Sequence, residues 1–474
     1  VAGLFHTLGV GSESLYANRQ GVDTTAHNIA NAQTEGYSRQ RVDLTQREPI
    51  RRNNLLIGNG VYAGDIKRSH DKFVERQLIS ATNAASQSGA KLDAMRDLES
   101  IFDPELTSTV STELGKFFDS LHTLSVFPEQ ISSRTAVYEQ AKTLSSSFQR
   151  TDQNLRDQRG NLNNKVASEA DAISNMLETI AKLNIRIQEL ETGPASDAND
   201  LRDQRDLMVR ALSEKIDIQY YEDKWGMVTI RGPGETLLVE GKQHASFAVR
   251  TNSENDFMND FLVFDFEGGR PRNITSKVTG GSVGAMLDVR DNVVTNLLEK
   301  NHAMANSLVT EFNAVHRQGF GTRDFKFSNG LDFFNPLSDP SRAAEEIQVS
   351  SEIQNSTDAI AAASTPNAPG DNVIVNMLHS IKEKPIMADG SASLNAFFAD
   401  YVGSLGIETM RAGHVKDADH LLKADLDSKR ESVSGVSLDE EAANMIKWQT
   451  AFTASSKVIT TVDEMLETVL SLKR

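Results

Sequence analysis

The two ends of this chain carry matching heptad rows, separated by nearly the whole sequence. Val1, Leu8, Leu15, Val22 and Ile29 recur at intervals of seven, and so do Met445, Phe452, Ile459 and Leu466. Trp448, Ser455, Val462 and Val469 follow the second row by three residues each, which completes the apolar stripe of a coiled-coil seam. A helix with one apolar stripe must bury it against another helix. The expected architecture therefore pairs the first helix with the last and carries everything else between them. A third row (Ala451, Val458, Met465, Leu472) widens the last helix's stripe beyond what one partner covers. At least two partners are expected, some of them neighbouring copies.

The first helix, read as residues 1 to about 34, is the weaker of the two. Gly3, Gly9, Gly11 and Gly21 each cost up to ~1 kcal/mol relative to Ala. Its second row (Gly11, Asn18, Thr25) is poorly apolar. Both terminal helices are expected to be marginal alone and to gain order when copies dock. Gly36 is read as the helix stop.

Between the ends the period changes twice. Extended segments at 37–45 and 50–68 lead to a helix from Asp71 to about Ser100, with a restart at Asp103-Pro104-Glu105. The longest periodic run spans about 129–191. Val166, Ile173, Ile180 and Ile187 form one row, and Leu155, Leu162, Met176, Leu183 and Leu190 the other. Gly193-Pro194 ends it, and a shorter helix follows over about 201–212. From Ile216 the pattern alternates: Ile216/Ile218, Val228/Ile230, Leu237/Val239, Phe247/Val249 and Leu262/Phe264/Phe266, with turns at Gly232-Pro233-Gly234, Glu240-Gly241 and Gly268-Gly269. Helix resumes near Gly284 and runs to about Arg317. Loop and short strand fill 318–350, and 364–371 is a linker. Two helices (372–383 and 392–432) precede the last. Ser437 and Glu440 open that last helix as a capping box.

The fold class expected is mainly α with inserted β: terminal coiled-coil helices, a long helical-bundle domain and a small antiparallel β domain. The boundaries are 1–36 with 437–474 for the paired terminal helices, 37–215 with 279–436 for the bundle, and 216–278 for the β domain.

Charge and composition narrow the function. A net charge of −17 opposes nucleic acid or an anionic membrane surface as partner. No apolar run approaches membrane-spanning length, and Val1 to Tyr16 carry no basic n-region or apolar h-region, so no cleavable secretory signal is expected. The absence of Cys removes disulfides and thiolate metal sites.

Four stretches together resemble one family. Asn28-Ile29-Ala30-Asn31-Ala32-Gln33-Thr34-Glu35-Gly36-Tyr37-Ser38-Arg39-Gln40 is similar to the N-terminal signature of bacterial flagellar rod, hook and hook-associated proteins. Asn28, Asn31, Gly36, Tyr37 and Arg39 carry it. Leu201 to Asp206 with Leu212-Ser213, and Gly280 to Leu287 with Arg290-Asp291, resemble the hook-associated members in particular, and Ser434 to Asn444 is similar to the C-terminal signature that the family shares. The resemblance implies a structural junction subunit between hook and filament, assembled as a layer of copies. It implies a hook protein and a second junction protein (hook-associated protein 3) as partners, and a cytoplasmic export chaperone that binds the C-terminal region. It implies an extracellular location reached by type III export. The assembly seams expected are Leu8, Leu15, Val22 and Ile29 at one end, and Met445, Trp448, Phe452, Ile459, Val462, Leu466 and Val469 at the other. The second set is also the expected chaperone-binding region. Another axial protein (hook or distal rod) or a cell-wall-acting enzyme carried on the axial structure are the alternatives. The long helix at 129–191 opposes the first. The absence of paired catalytic acids in 216–278 opposes the second.

No constellation points to catalysis, a cofactor or a metal. His414, Asp417 and His420 read as a solvated helix face, because metal ligands need convergence and outer-shell support. Gly58 to Gly64 lacks the spacing and following helix of a phosphate loop and reads as a hairpin turn. His27 reads as an interface residue of the first helix.

Overall fold

The computed structural model describes residues 2–52, 55–103, 108–192, 197–266 and 269–471. Val1, Pro104, Glu105, Gly193, Pro194, Gly268 and Leu472, which entered the expectations above, lie outside the described residues.

Helix α1 (Ala2–Ala30) stops four residues short of its expected end. The Asn31 side chain donates to the His27 carbonyl (3.0 Å), and the chain then turns through Gly36 at φ +80°. Strand β1 (Gln40–Gln46) leads into a two-stranded ribbon of β2 (Ile50–Arg52) and β3 (Leu55–Ile57), and returns as β4 (Val61–Arg68), antiparallel to β1. Asp71 caps α2 (Lys72–Ile101) by accepting from the Phe73 and Val74 amides. Helix α3 (Val110–Val126) begins under Thr109, whose hydroxyl accepts from the Thr112 amide.

Helix α4 (Ile131–Glu191) has 61 residues, about 90 Å at 1.5 Å per residue, and is the spine of the molecule. Val137, Leu144, Phe148, Leu155, Val166, Ile173, Ile180 and Ile187 are fully buried along it. The second expected row fades: Met176 and Leu183 are half-buried and Leu190 is exposed. A helix of 3.6 residues per turn drifts about 20° per heptad, so the buried stripe leaves that row as the helix advances.

Helix α5 (Asn199–Lys215) turns back along α4. Strands β5 (Gln219–Glu222), β6 (Val228–Gly232), β7 (Thr236–Glu240) and β8 (Gln243–His244) form one antiparallel sheet in sequential order. Strands β9 (Ser246–Asn252), β10 (Met258–Phe264) and β11 (Arg272–Asn273) form a second, with β10 central. Ile230, Val239, Phe247, Phe261 and Val263 join the core that α4 lines.

Helix α6 (Gly281–Asp288) passes through a π turn at Val289–Val293 into α7 (Val294–His316). The Phe-rich coil that follows holds only short helices, α8 (Ala343–Glu346) and α9 (Ser351–Asn355). Side chains of α7 secure it. Asn313 accepts from the Phe333 and Phe334 amides at 3.0 Å each and donates to the Phe334 carbonyl at 2.8 Å. Phe117, Phe312, Phe333 and Phe334 close into an aromatic cluster, with the Phe312 and Phe333 ring centres 4.8 Å apart. Helices α10 (Val373–Ser380), α11 (Leu394–Ser434) and α12 (Leu438–Ser471) complete the chain. Helix α11 lies antiparallel on α2. Leu78 packs with Leu426, Leu92 lies against Gly413, and Phe102 meets Tyr401 edge-on. The whole is mainly helical, with small antiparallel sheets, long terminal helices and a bundled core.

The capping box of α12 is half made. The Glu440 amide donates to Ser437 Oγ, but the Glu440 carboxylate goes to Arg39 instead of turning back.

Candidate assembly site

Helices α1 and α12 pair antiparallel through small and polar residues. Gly11 abuts Ile459, where an added Cβ would lie 3.1 Å from the side chain. The Ser14 and Ser455 hydroxyls are 2.9 Å apart, and Asn18 donates to Ser455 at 3.1 Å. Gly21 sits beneath the Trp448 ring, where an added Cβ would come within 2.4 Å. Asn28 reaches Glu441 at 3.0 Å.

Within the chain, the N-terminal pairing face is a different row from the apolar heptad. The row packed most deeply is Gly11, Asn18 and Thr25, which looked too polar. Leu8, Leu15 and Val22 lie half-buried along one edge of that face, and Ile29 is exposed. Glycine at 11 and 21 lets the backbone approach side chains that a Leu row would hold off. On α12, Ser455 and Val462 are buried, while Met445, Trp448, Phe452, Ile459 and Leu466 are half-buried. Val469 is exposed, and so are Val458 and Met465 of the third row. Helix α12 packs along α1, with Val458 at the edge of the seam beside Gly11 and Met465 and Val469 exposed.

At the body end of the pair, the signature residues make one buried knot. Asn28 uses its whole amide: Nδ2 donates to the Gln40 carbonyl (2.8 Å) and to Glu441, and Oδ1 accepts from the Tyr37 hydroxyl (2.7 Å) and the Gln40 amide (2.9 Å). Burial, followed by the nearby Asp200, Asp203 and Glu441, pushes the Tyr37 phenol well above its ordinary range, which keeps it a donor. Arg39 bridges Glu441 (2.8 Å) and Glu440 (2.9 Å), and its amide donates to the Ser434 carbonyl. Asn31 braces His27 and accepts from Thr34, while the Gly36 carbonyl accepts from Arg430. His27 itself faces Asp200 at 3.3 Å.

Helix α5 supplies the charges beneath the knot. Asp203 accepts from the Ser38 amide (2.8 Å) and from Arg68 (2.8 Å), and Asp206 accepts from Arg68 at 2.7 Å. Burial opposes the Arg68 charge, but Asp206 and Asp203 outweigh it and raise its pKa. One turn earlier, Asp200 accepts from Gln40 at 2.7 Å. On the other side of α5, Glu222 of β5 accepts from Lys72, Arg202 and Arg205. Burial alone would raise its pKa; the three cations hold it at about 2. Gly281, at φ +68°, lets α6 close on the end of α5: an added Cβ would meet the Lys215 carbonyl at 2.4 Å.

Three of the four signature stretches thus converge on the knot, and the fourth packs on the end of the same helix. Sequence reasoning did not assign Arg68, Asp200, Asp203 or Glu441 a role, and gave Glu440 only that of a helix cap. The available signal was the Leu201–Asp206 run, a helix dense in charge that the molecule nevertheless buries at Asp203, Arg205 and Asp206.

Among the described residues no group of three or more His, Cys, Asp or Glu is placed to hold a metal, and no helix is long and apolar enough to cross a membrane.

Comparison with known proteins agrees with the geometry. Residues 95–334 match the family described as flagellar hook-associated protein FlgK helical domain, and residues 428–472 match the C-terminal family of flagellar basal body rod FlgEFG proteins. The chain is 27% identical to flagellar hook-associated protein 1 of Bacillus subtilis, over 98% of both chains. It is 23% identical to the proteins of that name from Salmonella typhimurium and Escherichia coli, over 97% of this chain and 98% of each relative. The solved flagellar hook junction protein FlgK of Burkholderia pseudomallei superposes with a TM-score of 0.68 at 14% identity, over 76% of this chain and all of that one, which shows a shared fold.

Proposed function

Because this chain belongs to the flagellar hook-associated protein FlgK family, we propose that its terminal helix pair and knot are the device by which copies join into the layer between hook and filament. The protein is a structural axial component of the flagellum and assembles with copies of itself. Its partners are the hook protein on one side and the second junction protein on the other. Before export a cytoplasmic chaperone covers the half-buried rows of α12, and the folded protein works outside the cell. It carries out no catalysis. The domains we propose are 1–36 with 437–474, 37–215 with 279–436, and 216–278.

One observation carries this reading. The α1–α12 pair is joined within the chain largely by polar and small residues, while Tyr16, Ile446 and Met465 remain exposed. A lone pair gains little from such a seam, since burying a Leu or Ile is worth about 1.5–3 kcal/mol and few are buried here. Neighbouring copies that cover those residues add the missing apolar contact. Electron microscopy of cells lacking the protein tests the reading. Hooks without filaments, with filament subunits shed into the medium, are expected. Normal filaments would overturn it.

A further inference from the structure

A small pocket of about 230 Å³ opens where β4 runs into α2, with α5 and β5 as its other walls. Arg68, Lys72, Arg76 and Arg205 line it against Asp206 and Glu222. Most of that charge is taken up within the chain. Arg68 is held by Asp203 and Asp206, and Lys72 and Arg205 share Glu222 with Arg202. Three donors are left over. Arg76 sends Nε to the Lys72 carbonyl (3.3 Å) and pairs with no carboxylate among the described residues. The Tyr220 hydroxyl has no partner among the described residues either. Burial, followed by Asp206 and Glu75, pushes its phenol well above its ordinary range, so it stays protonated.

The third donor belongs to Arg205, which is 1% exposed. Its Nη1 donates to Asn184 and to the Gly226 carbonyl and its Nη2 to Glu222, but its buried Nε has no acceptor. Nε and Nη2 lie on one edge of the planar guanidinium, so the unpaired N–H looks toward the wall that Glu222 forms. Buried donors are nearly always satisfied in a folded chain. This one shares a pocket with a phenol free to donate and a guanidinium whose charge no acid offsets. A group that satisfies all three accepts hydrogen bonds and is negative, and an arginine fork matches a carboxylate.

We propose that this pocket binds a carboxylate, held by Arg76, the Arg205 Nε and the Tyr220 hydroxyl. Two sources carry that chemistry: an Asp or Glu side chain of a second copy, and a free small carboxylate. Acids outnumber bases 66 to 49 in the chain, so each copy has carboxylates to offer a neighbour. Filled by a neighbour, the pocket ties the body of one copy to the next, away from the terminal pair. That source rests on the self-assembly reading above; the pocket itself does not.

Two experiments separate the sources. Full-length chains of two different tags are co-expressed in cells lacking the native protein, once as the parent and once with Arg76→Lys. Isolated flagella are treated with a carbodiimide, which joins an amine to a carboxylate in contact with it. The Lys72–Glu222 link within the chain is the control. If a neighbour fills the pocket, mass spectrometry of mixed-tag dimers finds a link from position 76, or from Lys72 in the parent, to an Asp or Glu of the other copy. Should Arg76→Lys not assemble, Lys72 of the parent reads the same contact. Purified protein is also titrated with sodium acetate at constant ionic strength. If a free carboxylate fills the pocket, the urea midpoint rises with acetate, and Arg76→Gln and Tyr220→Phe each lose the rise. Either result upholds the pocket. It is overturned by flagella that assemble without the link, together with a midpoint that ignores acetate or rises as much in either variant. That outcome leaves the self-assembly reading standing. Normal filaments in cells with no copy of the protein sink that reading itself.

Discussion

Asn28 and Glu441 are 413 residues apart in sequence and 3.0 Å apart in the folded chain. Asn28→Ala removes both donors and the acceptor that hold Tyr37, Gln40 and Glu441 together. Each buried group left unpaired costs about 1–3 kcal/mol. The expected outcome is faster hydrogen exchange at amides of both α1 and α12, with α4 and α7 unchanged. Asn28→Asp should be worse, because it sets a carboxylate against Glu441.

Gly21→Leu should separate the terminal helices, since even a Cβ at this position overlaps the Trp448 ring. Overpacking of this kind costs about 1–3 kcal/mol. In a Trp225→Phe background Trp448 is the sole tryptophan, and its emission should shift to the red. Adding Trp448→Ala should recover most of the lost stability.

Stability should fall in mild acid through His316. This fully buried ring donates from Nδ1 to the Leu331 carbonyl (2.8 Å) and accepts the Ala361 amide at Nε2 (2.9 Å), so it is neutral when folded. Burial lowers its pKa from 6.5 to about 4. Between those values the unfolded chain holds more protons than the folded one, so stability drops as pH falls from about 6.5 to 4 and the effect then levels off. The histidine contributes about 3 kcal/mol across that window. Urea midpoints at pH 7 and pH 4.5 should differ less in His316→Gln than in the parent.

Glu222→Gln should loosen the β sheets from the body. It leaves Arg202 and Arg205 without their shared carboxylate, and removing one partner of a buried ion pair costs about 3–5 kcal/mol. Protease cleavage near the β5–β6 turn is the readout, and retained protection would contradict the role given to this cluster.

The helices were legible where one face alone decides burial. Val166, Ile173, Ile180 and Ile187 of α4 read as core and are fully buried. Val228 and Ile230 of β6 were equally plain, whereas β7 buries Leu238 beside Val239 in place of Leu237. The pairing face of α1 was not, because apolar periodicity does not see an approach made possible by Gly11 and Gly21 and sealed by Ser14, Asn18 and Ser455. The α2–α11 pair was missed for a related reason. After Ala412 the buried face of α11 is sparse until Leu426, and beyond Leu426 the contact continues as charge, with Glu75 held by Arg210 and Arg430. As for the candidate site, the signature residues were identified by resemblance, but their partners lie on α5 and α12, hundreds of residues away. Such long-range hydrogen bonds leave no periodic trace.

The knot also has a mechanical meaning. The terminal pair and the rest of the molecule are tied by two thin strands of backbone, residues 31–39 and 434–437. Asn28, Arg39, Glu440 and Glu441 cross-brace them like a gusset. Any twist that a rotating shaft imposes on the body reaches α1 and α12 through this brace, which loads both helices together instead of peeling one from the other.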